Sequence, residues 1–318
     1  MIRRRFFGIV GGAVLTWPLA VRAQPKLATI GVLVPGNPEP FWTRMQESLR
    51  EFGYIEGKNV RFEFRNADGK PDLLNGLAEE LVGRNVDLLV VWQTPAAFAA
   101  RKATTTIPIV MALVADPVGT GLVASLARPG GNITGLSGTT AELGAKILEL
   151  IHEMKPSAQR VGVLVNATDP FSRIFVEQVE RGGLTFGIAV QPISVKGVEG
   201  FEAAIGAMVR ERADAVIVQP SLPLKAATEL ALKHGLLSIS PAQFFTGAGG
   251  LMSYSADQNA IYRNVAMYVD RILKGTKPSE LPVLQPTRYE FVINLKTAKS
   301  LGIVVPPALL ARADEVIE

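Results

Sequence analysis

Short runs of β-branched and aliphatic residues alternate along this chain with longer stretches whose apolar positions recur every three or four residues. The runs predict strands at Ala28–Val34, Val60–Phe64, Leu88–Trp92, Ile107–Val114, Val161–Val165, Ala189–Ile193, Ala215–Val218 and Leu236–Ile239. Between them, helical spacing covers Phe41–Phe52, Pro71–Gly83, Pro95–Ala103, Ala141–Met154, Phe171–Arg181, Phe201–Arg212 and Leu224–His234. Strand–helix alternation implies parallel sheets with helices on both faces. Ile30–Val34 and Leu88–Trp92 are apolar throughout, as strands covered on both faces must be.

The pattern also repeats. Gly31-Val32-Leu33-Val34 recurs as Gly162-Val163-Leu164-Val165, and each copy is followed by Pro-Phe opening a helix, at Pro40-Phe41 and Pro170-Phe171. A duplicated α/β unit predicts two lobes. Breaks at Arg128–Asn132, Gly247–Gly250 and Pro282–Pro286 suit chain crossings between them, and so a hinge around a ligand cleft.

The first 23 residues change the picture of charge and location. Arg3, Arg4 and Arg5 precede an apolar run from Phe6 to Val21 that ends at Val21-Arg22-Ala23, the layout of a secretory leader cut after Ala23. Paired arginines before Phe6 and Phe7 fit either the general or the twin-arginine export route. The chain has 33 basic and 29 acidic residues, and the leader alone carries the four-arginine excess. What remains is neutral, which gives no footprint for nucleic acid or an anionic membrane. The absence of cysteine excludes disulfides, thiol chemistry and a lipidated cleavage point. The expected product is a periplasmic protein, unanchored and monomeric.

Signatures of catalysis are sparse. His152 and His234, the two histidines, lie in amphipathic helical contexts, and no zinc-protease, nucleophile-elbow or P-loop pattern occurs. Gly119-Thr120-Gly121-Leu122-Val123-Ala124 matches a dinucleotide fingerprint opening a helix, but stands five residues beyond Val114 and after the fourth strand. It reads as loop and helix start. No cofactor and no metal site are expected.

In open α/β sheets ligands bind beyond the carboxyl ends of the strands. The positions there include Asn37, Phe41 and Trp42, then Gln93 and Thr94, then Asp116. In the second half come Asn166, Thr168, Asp169 and Phe171, then Gln219, Ser221 and Gln243, with Tyr254 at the second crossing. Trp42, Thr94, Asp116, Asn166, Asp169, Ser221 and Tyr254 are the expected ligand-binding set. Thr94 and Ser221 precede helices and can hold a carboxylate with hydroxyl and backbone N–H. Asp116 can pair with an ammonium group, and Phe41, Trp42, Phe171 and Tyr254 can sandwich an apolar side chain. Thr94, Thr168 and Asp169 also fit simple helix caps, and Asp116-Pro117 a turn.

Longer segments carry a resemblance. Arg3–Phe7 with Trp17–Ala20, Ile107–Val110, Asp116–Gly119, Ser125–Gly135, Gly249–Tyr254, Tyr268–Gly275 and Asn294–Lys299 resemble the substrate-binding proteins of ABC transporters whose better-known members bind tryptophan or tyrosine. The resemblance implies a type I periplasmic binding fold with three crossovers, a small solute delivered to a membrane permease, and no catalysis. Many relatives are lipoproteins, which this cysteine-free chain departs from. The expected organisation is a leader (1–23), a first lobe (27–136 with 254–284) and a second (137–253 with 285–318). A periplasmic sensor domain, or a two-lobed cofactor-dependent enzyme using the Gly119–Ala124 segment, are the alternative readings.

Overall fold

The computed structural model describes residues 27–138 and 143–318; the expected leader and the start of the helix expected at Ala141 lie outside them. The first half forms β1 (Ala28–Val34), α1 (Phe41–Glu51), β2 (Val60–Asn66), α2 (Leu74–Gly83), β3 (Leu88–Trp92), α3 (Gln93–Ala103), β4 (Ile109–Val114) and β5 (Ile133–Ser137). The second forms α4 (Leu143–Met154), β6 (Arg160–Asn166), α5 (Ser172–Phe186), β7 (Ala189–Val195), α6 (Phe201–Arg210), β8 (Ala215–Val218), α7 (Leu224–Lys233), β9 (Leu237–Ser240) and β10 (Met252–Ala256). Then follow α8 (Gln258–Leu273), β11 (Tyr289–Asn294), α9 (Leu295–Ser300), α10 (Pro307–Arg312) and β12 (Glu315–Ile317).

Two sheets result, in the orders β2-β1-β3-β4-β5 and β12-β11-β10-β9-β8-β6-β7. Reading β6 to β10 as the second copy of β1 to β5 gives the same order twice, all parallel; β11 adds antiparallel to β10. The repeated Gly-Val-Leu-Val segments occupy matching places in β1 and β6.

The copies share a further device. Asp87, just before β3, exchanges bonds with Thr29 of β1: its amide donates to the Thr29 carbonyl and its carboxylate accepts the Thr29 N–H, both at 2.8 Å. Asp214, just before β8, does the same with Arg160 of β6, and Asp314, before β12, with Phe291 of β11. In each case the aspartate fastens the start of one strand to its neighbour. Asp214 also accepts from Lys155 Nζ at 2.7 Å and Gln159 N–H at 2.8 Å. Burial alone would raise its carboxyl; Lys155 and the two amides outweigh that and hold it below the ordinary range. Such an acid contributes stability above its unfolded pKa and loses it as pH falls through the lowered folded value. Asp214→Ala is therefore expected to cost about 1–3 kcal/mol at neutral pH, and little at strongly acidic pH, in urea unfolding.

Each sheet is covered on both faces. In the first lobe, Ile30, Val32, Val90 and Ala112 face α1 and α8, and Leu33, Leu89, Val91 and Met111 face α2 and α3. In the second, Val163, Ile217 and Ile293 lie under α4 and α5, and Leu164, Val216 and Val218 under α6 and α7. Fully burying one such side chain contributes about 1.5–3 kcal/mol.

The helix α8, absent from the sequence-based expectations, starts at an N-cap, Asp257, whose carboxylate accepts the N–H groups of Asn259 and Ala260. It packs in the first lobe although β10 and β11 on either side belong to the second sheet. The chain thus passes between the layers after β5, after β10 and before β11. Tyr254, expected at the edge of the first lobe, sits inside β10 of the second sheet.

Gly119–Ala124 opens no helix. The whole stretch between β4 and β5 is turns and bends. Asp116 accepts the Gly119 N–H at 2.8 Å while its carbonyl takes Thr120 N–H, and Gly121 stands at φ +75°. A side-chain-stapled turn occupies the amides that a helix start would leave free for a pyrophosphate.

Candidate ligand cleft

The carboxyl ends of β1, β3 and β4 and those of β6, β8 and β9 carry the polar residues of the two lobes. In the first lobe, β3 runs directly into α3, and Gln93 makes the corner at φ +65°, unusual for a residue with a Cβ. Thr94 follows, almost fully buried, and its Oγ1 accepts the Ala115 N–H at 3.0 Å. A register shift in β4 between Met111 and Val114, with Leu113 at φ +59°, turns the strand end so that this amide can reach Thr94. Pro95 fits the first turn of α3, where no N–H partner exists. Thr94 and Asp116 are thereby held side by side, but Asp116 is half-buried and its carboxylate serves the Gly119 turn.

Three expected residues of the second lobe meet in one network. Asp169 Oδ1 accepts the Phe171 N–H at 2.9 Å, and Oδ2 accepts Ser221 Oγ at 2.6 Å and Gln219 Nε2 at 3.0 Å. Gln219 Oε1 accepts the Asn166 N–H at 2.8 Å and Ser172 Oγ at 2.9 Å. The Asn166 side chain accepts from Thr168 N–H and Oγ1, and its Nδ2 lies 3.5 Å from Ser221 Oγ. Asp169 is 7% exposed, and burial pushes its carboxyl up, opposed by the Ser221 and Phe171 bonds. Its three donors are all neutral. Gln219 joins β6, α5 and β8 in this network; its place after a strand was visible in sequence, its organising role was not.

The strand registers align the two copies residue by residue. Leu33 pairs with Val91 in the first lobe and Leu164 with Val218 in the second. Counting on from those pairs, Gln93 corresponds to Pro220 and Thr94 to Ser221. These equivalent positions touch across the lobes: Gln93 Nε2 donates to the Pro220 carbonyl at 3.2 Å. The two hydroxyl residues therefore flank one inter-lobe contact. An open groove of about 590 Å³ also runs between the lobes, with Asp72, Phe98 and Arg101 on one wall and Thr168 and Pro170 on the other.

The expected aromatic sandwich does not form. Trp42 packs edge-on to Phe62 and tilted against Phe64, covering β2. Phe41 is buried against Trp92, ring centroids 4.1 Å apart, with Tyr262 beside them. Phe171 lies in the core with Phe175. Tyr254 stacks on Tyr289 at 5.3 Å, on the face of the second sheet that packs under α4, not with Asp169. Of the aromatic residues, Trp92 is the one next to Gln93 and Thr94 in the chain. Among the described residues no group of histidine, cysteine or acidic side chains could hold a metal, and no described helix is long and apolar enough to cross a membrane.

Two duplicated α/β lobes, polar strand ends facing one another and chain crossings between them define a two-lobed solute receptor of the type I periplasmic binding fold. The sequence model of the ABC transporter substrate binding protein family matches residues 42–317, and the chain belongs to that family. It is 29% identical over 264 residues to the tyrosine-binding protein of Clostridioides difficile strain R20291, covering 81% of this chain and 75% of the relative. Its fold is similar to a conserved domain protein from Vibrio cholerae (30% identity, TM-score 0.85, covering 92% of this chain and all of that one). It is also similar to an ABC domain from Streptococcus pneumonia in complex with L-Trp (29% identity, TM-score 0.84, covering 91% and 99%). The chain is thus a substrate-binding component that takes a small solute.

Proposed function

We propose that the solute is an α-amino acid, held as a zwitterion between the lobes, and that the protein delivers it from the periplasm to a membrane permease. The observation that carries this reading is Asp169. A carboxylate this deeply buried and bonded only to neutral donors gains most from a cationic partner. Across the Gln93–Pro220 contact stands the N-terminal turn of α3 with the Thr94 hydroxyl, a setting that favours a carboxylate. An ammonium at Asp169 and a carboxylate at Thr94 would tie the second lobe to the first. Binding then favours the closed form by its differential contacts there. Asp116, the first choice for the ammonium on sequence grounds, is tied up in its turn.

The tyrosine and L-Trp named for two relatives support an aromatic amino acid. The arginine-led apolar segment ending at Ala23 supports export, and the missing cysteine supports an untethered product. Native mass spectrometry of the protein purified from its own periplasm tests the ligand class. One amino acid per chain is the expected result, confirmed by calorimetric titration with L-tryptophan and L-tyrosine. A bound nucleotide or sugar in its place would overturn the reading.

A further inference from the structure

At its hinge end, β10 carries hydroxyls that the Asp169 network does not use. Ser253 and Ser255 alternate with Tyr254 and so point to the sheet face opposite the Tyr254–Tyr289 stack. They are 0% and 2% exposed, and neither Oγ has a hydrogen-bond partner. Buried hydroxyls are nearly always paired. Ser255 stands opposite Glu290 in the antiparallel pairing of β10 with β11, and directly opposed residues project to the same face. Glu290 is half-buried, and its Oε2 accepts Gln243 Nε2 at 2.8 Å. Gln243 follows β9, the neighbouring strand. A carboxylate, a carboxamide and an unsatisfied hydroxyl thus converge where β9, β10 and β11 meet the crossing segments.

We infer that Gln243, Ser255 and Glu290 form a second polar subsite, which receives a hydroxyl at the far end of the ligand's side chain. That hydroxyl donates to Glu290 and accepts from Ser255; Gln243 fixes the carboxylate. Strands lie ~4.8 Å apart, so Ser255 stands roughly 10 Å along the cleft from β8, whose end carries Gln219 and Ser221. This separation suits an amino acid with its ammonium at Asp169 and a hydroxyl at its tip, such as a hydroxyphenyl side chain. The inference rests on the amino-acid reading above.

L-Tyrosine and L-phenylalanine differ only in that hydroxyl, and calorimetric titration of both into the wild type, Ser255→Ala and Glu290→Gln tests the subsite. The wild type is expected to prefer tyrosine by about tenfold or more, as for a paired hydroxyl. Each variant should bring the two ligands to within about threefold by weakening tyrosine, while phenylalanine affinity, which also reports that the variants fold, stays unchanged. Equal binding by the wild type, or a preference that survives in both variants, overturns the subsite and leaves the amino-acid reading intact. Binding of neither overturns the subsite and the aromatic amino acid with it, while the amino-acid reading is decided by the solute found on the purified protein.

Discussion

Asp169→Asn is expected to weaken amino-acid binding by about 2–4 kcal/mol, roughly 30- to 1000-fold, while leaving the ligand-free fold within about 1 kcal/mol of the wild type. The two numbers differ because the carboxylate plays opposite parts in the two states. In the ligand-free protein its carboxyl is buried among Phe171 N–H, Ser221 Oγ and Gln219 Nε2, and burial raises its pKa. A folded pKa above the unfolded one means that the ionised form opposes folding at neutral pH, and that this opposition fades as pH falls below the raised value. Once an ammonium arrives, the same charge becomes the attractive partner, and protonation removes it. Affinity should therefore fall on acidification with a midpoint above the ordinary carboxylate range, and proton release should accompany binding there. Asparagine should abolish that pH dependence. Titrations at a series of pH values check both statements; an unchanged affinity in a folded Asp169→Asn protein would reduce the residue to a staple of the turn that leads into α5.

The largest expected effect on stability is at Gly135. This glycine lies in β5 at φ +132°, a conformation that side-chain-bearing residues rarely adopt. A Cβ there would stand 2.3 Å from the carbonyl oxygen and 2.5 Å from the nitrogen of Met111, its partner in β4. Both atoms belong to the backbone of a strand buried on both faces, beside the irregularity that presents Ala115 to Thr94. No side-chain rotation can relieve the contact. Gly135→Ala is expected to cost about 3 kcal/mol or more, and to lower the melting temperature by roughly 6–12 °C at 2–4 °C per kcal/mol. The Gly135 carbonyl also accepts the Leu284 N–H, and Leu284 in turn accepts from Ser137, so the first and last crossing segments are bonded to each other at this point. Scanning calorimetry tests the prediction; a shift under 2 °C would mean that β5 can slide away from β4.

Much of the architecture was legible in the chain. β1, β3 and β8 fall on the residues expected for them, because a strand covered on both faces must be apolar throughout and turn residues must bound it. The duplication was legible from Gly31–Val34 and Gly162–Val165. Less visible was α8: its neighbours in sequence are strands of the other lobe, so no local βα rhythm announced it. The candidate site divides in the same way. Asn166, Asp169 and Ser221 follow strands in regular βα units, and topology alone sends such positions to the cleft. Trp42 and Tyr254 were placed near the cleft by the same logic. Their side chains, however, follow the face of a helix and the pleat of a strand, and those faces look onto Phe62, Phe64 and Tyr289.

By itself, then, the sequence determined the βα alternation through β9, the repeated unit and the strand ends at which a ligand must be sought, since each follows from local periodicity or composition. Tertiary structure alone decided which polar residues act together. Gln219 reaches Asp169 across two strands, Gln93 meets Pro220 across two lobes, and Ser255 faces Glu290 through an antiparallel register. Each of these pairings depends on distance and direction in space between residues far apart in the chain, set by sheet register and by the packing of one lobe against the other.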